Sequence, residues 1–218
     1  MNLDDWLKKV NPAAVLLDMD GVLCDSEPFI AEAAVGMFAN VHGMKVQAAD
    51  FLPFVGTGED RFLGGVAEKY GLTLTLPRDK QTTYDIYLEI IKGRLQPIPG
   101  VVSFVKMCRE RMWKTAVATS ADRRKMDGNL REIGLPSESF DTCITGDDIQ
   151  RKKPDPEIFL TAAARVGVPP ERCLVVEDAV HGVQAAKAAG CRCLAISSSF
   201  SAEELTCAGA DRVQPHFL

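Results

Sequence analysis

Two aspartates, Asp18 and Asp20, stand one residue apart at the end of the apolar run Ala13-Ala14-Val15-Leu16-Leu17, and Gly21 follows at once. Side chains alternate along a strand, so both acids share a face for as long as the chain stays extended. Gly21 then lets the backbone turn away without a Cβ penalty. One carboxylate of such a pair can attack an electrophile while the other manages protons, and the pair can also hold a cation. Acid pairs also occur in solvated turns, so their meaning depends on what converges on them.

More chemistry stands at the ends of other apolar runs. Ala116-Val117-Ala118 leads into Thr119-Ser120, where a helix is expected to open. Hydroxyls and free N–H groups there suit a phosphate or carboxylate oxygen, and Ser120 equally suits a helix cap. Leu174-Val175-Val176 leads into Glu177-Asp178, which reads either as an acidic helix start or as part of a cluster with Asp18 and Asp20. Such crowding calls for a cation, and hard oxygen donors select Mg2+. Lys153 lies in Lys153-Pro154-Asp155-Pro156, a loop stiffened by its prolines. A fixed ammonium there would counter a phosphate's charge and support ionised Asp18; Arg151 and Lys152 are expected in solvent. Together the residues imply Mg2+-assisted phosphoryl transfer. Asp18 would form an aspartyl-phosphate, Asp20 would act as acid and then base, and Lys153 and Thr119 would stabilise the equatorial oxygens.

These positions need elements that bring them together. Thr115–Thr119, Thr142–Thr145, Leu174–Glu177 and Cys193–Ile196 read as buried strands, as does the run before Asp18. Between them Val101–Arg111, Ala121–Ile133, Pro156–Val166 and Val180–Ala189 have helical spacing, with Gly134, Gly167 and Gly190 placed as helix stops. The alternation predicts an α/β fold, a doubly wound, Rossmann-like parallel sheet whose active residues gather at the carboxyl ends of the strands. From residue 26 to about residue 96 the rhythm breaks into helical segments alone: Pro28–Val41, Gly58–Tyr70 and Asp79–Leu95. Gln96-Pro97-Ile98-Pro99-Gly100 is a turn-rich return point. The predicted organisation is an α/β core over 1–25 and 97–218 with an inserted all-helical cap over 26–96.

With 218 residues, 46% apolar and 25% charged, the chain has the composition of an ordinary soluble globular protein. A formal charge of −5 leaves no basic stripe for nucleic acid, and no apolar stretch approaches the roughly 20 residues that span a bilayer. Met1–Lys9 lacks an apolar signal core, which argues against secretion. Seven cysteines, several in apolar runs (Cys143, Cys173, Cys193), read as reduced buried thiols in a reducing, cytoplasmic compartment. Cys191-Arg192-Cys193 lacks a second ligand pair and is not read as a zinc site.

The motifs Asp18-Met19-Asp20-Gly21-Val22-Leu23 with Asp25-Ser26-Glu27, then Ala118-Thr119-Ser120, Lys153-Pro154-Asp155-Pro156 and Val176-Glu177-Asp178 occur in this order over essentially the whole chain. In this the sequence resembles the haloacid dehalogenase superfamily, in its helical-cap branch of β-phosphoglucomutase-like and phosphoglycolate-phosphatase-like enzymes. The resemblance implies Mg2+ held by Asp18, the backbone carbonyl of Asp20, and Asp178, with Glu177 assisting. It also implies Gly21 and Ser120 beside the phosphate, and a flap over Gly21–Ser26 leading into the cap. Dehalogenases lack the second aspartate, so Asp20 argues against them. β-Phosphoglucomutase-like enzymes carry a histidine ten residues beyond it; Ile30 stands there, which favours hydrolysis over mutation. Phosphonate hydrolases use a cap lysine, and none stands out here.

The substrate-selecting candidate is Phe54–Gly65, with Thr57 and Arg61 as contacts. Thr57 and Asp60 also fit a capping box, and Arg61 also fits an exposed helix arginine. This stretch and Ser120-Ala121-Asp122-Arg123 are similar to a plant chloroplast member of the superfamily, whose domain is joined to thioredoxin-like and β-propeller domains. Chloroplast is therefore the alternative location, and association with other domains the alternative to a monomer. The expected activity is Mg2+-dependent hydrolysis of a small phosphate ester, a sugar phosphate or phosphoglycolate. A phosphomutase, or a regulatory partner-binding domain with little activity, is the alternative.

Overall fold

Strand β1 (Ala14–Leu17) is buried at every position because both of its faces are covered. In the computed structural model, which describes residues 2–54 and 58–217, β1 pairs in parallel with β2 (Lys114–Ala118) on one side and β4 (Cys173–Glu177) on the other. β3 (Thr142–Ile144), β5 (Arg192–Ile196) and β6 (Arg212–Gln214) complete a six-stranded parallel sheet of order β3-β2-β1-β4-β5-β6. The order reverses at β1, and that switch point opens a crevice at the carboxyl ends of the strands.

Alternation divides the core in two. Val15, Leu17, Leu174 and Val176 face a cluster that includes Trp6 and Leu7 of α1 (Leu3–Val10), Phe104 of α5 (Val101–Glu110) and Met126 of α6 (Arg123–Glu132). Leu16 and Val175 face the other, with Phe159 of α7 (Glu157–Val166), Val183 of α8 (Val180–Ala188) and Leu205 of α9 (Ala202–Cys207). The expected doubly wound fold is present. The sequence reading omitted α1, α9 and β6. α9 carries a capping box, Ser201 with Glu204; β6 is a half-buried Arg-Val-Gln edge strand with no apolar run to announce it.

Between β1 and β2 the chain forms α2 (Glu27–His42), a 3-10 segment (Ala48–Phe54), α3 (Glu59–Lys69) and α4 (Leu76–Ile90). The outgoing and returning backbones meet where Cys24 pairs with Pro97 and Ile98 N–H donates to Leu23 C=O at 2.9 Å. α2 lies along α4, α3 packs on both α4 and the 3-10 segment, and α4 reaches α6. There Tyr87 Oη donates to Asn129 Oδ1 at 2.5 Å. α4 starts at Leu76 rather than Asp79. Pro77 suits a first turn, and buried Asp79 accepts the N–H of Thr75 at 2.8 Å while pairing with Arg78 and His42.

Candidate active site

Each strand end on the crevice delivers its acid or hydroxyl as the sheet register requires. Leu17 of β1 is level with Val176 of β4 and Val117 of β2. Asp18 and Glu177 therefore emerge level with each other, Thr119 follows one residue further along on the β2 side, and all three are buried. Lys153, from the loop before α7, enters between them. Its Nζ lies 2.5 Å from Asp18 Oδ1 and 2.6 Å from Glu177 Oε1, and donates to Ala118 C=O at 3.2 Å. Glu177 is fixed further, its carboxylate accepting the N–H groups of Asp178 (2.9 Å) and Ala179 (3.1 Å). A Cβ on Gly182 would fall about 2 Å from that carboxyl, so only glycine lets α8 approach it.

Asp178 completes the cluster. Asp18, Glu177 and Asp178 each offer an oxygen within 4.8 Å of the others. Ser198 bridges Gly21 C=O (2.6 Å) and Asp178 Oδ2 (3.2 Å). Gly21 has φ +78°, and a Cβ there would lie 1.9 Å from Asp178 Oδ2; the turn after Asp20 therefore requires glycine for conformation and for space. Burial, with repulsion from Glu177 and Asp20, pushes Asp18 up to about 7 against the pull of Lys153. Burial and the same kind of repulsion raise Asp178 well above the carboxylate range. The acids outweigh burial at Lys153 and raise it. Three carboxylates against one ammonium leave surplus negative charge on hard oxygen donors, and that donor set fits Mg2+.

Asp20 leaves the cluster. Its carboxylate accepts from Ser26 Oγ and is paired at 3.1 Å with Nζ of Lys125, a residue of α6 only 2% exposed. Lys125 also lies 3.6 Å from Glu59, at the start of α3. Burial opposes the Lys125 charge, yet Asp20, Glu59 and Glu27 outweigh it and hold the ammonium strongly charged. Asp20, Lys125, Glu27 and Glu59 line one small pocket with Ser120 and Ile30.

The remaining expected contacts are less direct. Thr119 Oγ1 accepts the N–H of Ala121 at 3.1 Å, leaving its proton free to donate. Ser120 does not cap α6: Asp122 does, accepting the N–H of Lys125, and the Ala121 carbonyl ahead of the helix accepts from Gly146 N–H at 2.8 Å. Arg61 is drawn to both oxygens of Glu68 at 2.9 Å and over the Phe54 ring at 5.1 Å. Thr57 lies outside the described residues. Gly58 precedes α3 without a side-chain cap, and Asp60 pairs with Lys80 at 3.0 Å. Asp178 is likewise not the cap of α8; Ala179 holds that place.

Sequence reasoning missed Lys125 and its partner Glu59, and Ser198 under Asp178. The available signal for Lys125 was its place on one helix face with buried Asn129, four residues on.

With this geometry in view, the comparisons agree. The family described as haloacid dehalogenase-like hydrolase matches residues 12–190. The chain belongs to this family and is a hydrolase of it. It is 44% identical over 214 residues to SUPPRESSOR OF QUENCHING 1, a chloroplastic protein of Arabidopsis thaliana. That match takes in 97% of this chain but only 20% of the plant protein, so the chain spans about a fifth of that relative. It is 33% identical over 177 residues to a phosphorylated carbohydrates phosphatase of Thermotoga maritima, covering 81% of each. Among solved structures, CbbY of Rhodobacter sphaeroides with phosphate superposes with a TM-score of 0.84 at 26% identity, over 94% of this chain and 95% of that one. Among the described residues no helix is long and apolar enough to cross a membrane, and none of the seven cysteines is in a disulfide.

Proposed function

We propose that the protein is a Mg2+-dependent phosphatase of a small phosphorylated metabolite of the sugar-phosphate kind, working through an aspartyl-phosphate on Asp18. The observation that carries this reading is the parting of the two aspartates. Asp18 sits with Lys153 among the acids, while Asp20 turns to Ser26 and Lys125 beside the pocket. This parting supports Asp18 as the group that meets phosphorus and Asp20 as the group that meets the leaving oxygen. The likeness to the Thermotoga phosphatase supports the substrate class.

Asp18 Oδ attacks phosphorus as the bond to the leaving oxygen breaks, and Asp20 supplies that oxygen with a proton. Water then gives its proton to Asp20 and attacks phosphorus, and the bond to Asp18 Oδ breaks to release phosphate. Lys153 and the Thr119 hydroxyl hold charge on the oxygens in flight. Asp18, Asp178 and the Asp20 carbonyl would hold Mg2+, which when bound supplies charge neutralisation and alignment of the phosphoryl group. Helices α2–α4, residues 26–96, act as a cap whose Glu59 and Ile30 close the leaving-group side over the core, residues 1–25 and 97–218. Ile30 puts an apolar wall where a mutase would need a proton-transferring side chain. The likeness to the plant relative supports a chloroplast setting as the alternative to the cytoplasm.

The test is phosphate release from p-nitrophenyl phosphate with and without Mg2+. Wild-type turnover should need the metal, and Asp18→Asn should lower it by at least about a thousandfold. Undiminished activity in that variant sinks the reading.

A further inference from the structure

We propose that the pocket beside Asp20 selects its substrate by charge. It takes phosphate esters whose organic part is a neutral or amine-bearing polyol, and it rejects those carrying a second phosphate or a carboxylate. This rests on the phosphatase reading and deepens it to a substrate class.

A phosphoryl group in line with Asp18 puts its leaving oxygen toward Asp20, so the organic part must extend into the pocket that Asp20 borders. Its other polar walls are Ser120, Glu27, Glu59 and Lys125, and Ile30 and Phe62 line it as well. That is three carboxylates around one ammonium. The ammonium is already engaged, at 3.1 Å by Asp20 and 3.6 Å by Glu59. The cations nearest in the chain are engaged as well. Lys80 pairs with Asp60 (3.0 Å) and Asp122 (3.6 Å), Arg61 with Glu68, and Arg124 with Asp85. Lys152 brings its ammonium against Gly58, which borders the pocket, without itself lining it.

A second anion would therefore face Glu27 and Glu59 and compete with Glu59 for Lys125. The cost of such like-charge contact is large where water is excluded. Hydroxyl groups meet no such barrier. A carboxylate accepts from them, and a carboxyl proton donates to them, so Glu27 and Glu59 serve a polyol in either state. An ammonium on the substrate would gain from the same acids. Ile30 and Phe62 offer the apolar surface that a sugar's C–H face packs on.

Matched pairs test this with wild-type enzyme and Mg2+: glycerol 3-phosphate against 3-phosphoglycerate, and fructose 1-phosphate against fructose 1,6-bisphosphate. The first member of each should be favoured in kcat/KM by about tenfold or more. In the isosteric double variant Glu27→Gln with Glu59→Gln the ratio should shrink several-fold. Equal or faster hydrolysis of the acidic members, or an unchanged ratio in the double variant, overturns the proposal. The same pairs are also titrated calorimetrically into Asp18→Asn protein, which reads selectivity without turnover. A preference for the neutral members there supports charge selection even if wild-type enzyme releases no phosphate, a result that would sink only the phosphatase reading. Absence of preference in binding overturns charge selection whatever the turnover.

Discussion

Two lysines, Lys125 buried and Lys153 half-buried, organise this molecule, and each divides a pair of acids, but the acids come from different places. Lys153 lies between Asp18 and Glu177, which end two neighbouring strands of one sheet. Lys125 lies between Asp20 and Glu59, which belong to the turn after β1 and to a helix of the insertion. In the first arrangement sheet register sets the two acids, and the loop before α7 brings in the lysine. The second joins α6 to α3 across the chain, beside the packing of α4 on α6. On the proposed function the phosphoryl group falls to the first site and the choice of leaving group to the second.

The sharpest way to break that contrast is to remove each lysine in turn. Lys153→Met leaves Asp18 and Glu177 buried without their cation, and losing one partner of a buried pair costs about 3–5 kcal/mol. The variant should melt well below wild type and lose activity on the order of a thousandfold even where folded. Near-normal melting and turnover would show that Lys153 is not the cation the site needs. Lys125→Met should act chiefly on Asp20, lowering kcat about tenfold to a hundredfold with a smaller change in KM, and Lys125→Arg should restore part of it. A variant that melts early but keeps wild-type kcat while folded would reduce Lys125 to a packing residue.

The smallest effect belongs to the far side of the insertion. Hydrogen bonds from Lys69 and Tyr70 hold Asp50 down at about 2, below its ordinary 3.8. A depressed acid stabilises the fold above its unfolded pKa and loses that contribution as pH falls from about 3.8 through about 2. Asp50→Asn should therefore flatten the stability curve slightly in that window and leave pH 7 kinetics alone. An unchanged acid limb in denaturant melts would contradict it.

The same contrast explains how much was legible in advance. Parallel strands buried on both faces read as continuous apolar runs. Hence β1, β2, β4 and β5 were visible, and with them Asp18, Thr119 and Glu177-Asp178 at their ends. The prolines flanking Asp155 gave Lys153 away. Lys125 had no such signal, because which of three consecutive basic residues turns inward depends on the phase of α6. That phase is set by Asp122 as cap rather than by Ser120. Glu59 was hidden for a related reason: its partner is 66 residues away in the sequence, on a different element. Arg61 shows the converse, a charge well placed in sequence that the fold spends on Glu68.

The central claim is that Asp18, and not Asp20, takes the phosphoryl group. It is tested most directly by quenching wild-type enzyme during turnover and reducing with borohydride, which converts an aspartyl-phosphate to homoserine. Peptide mapping should find homoserine at position 18 and leave Asp20 and Asp178 intact. Homoserine at either of those two, or none in an enzyme that is turning over, would contradict the account.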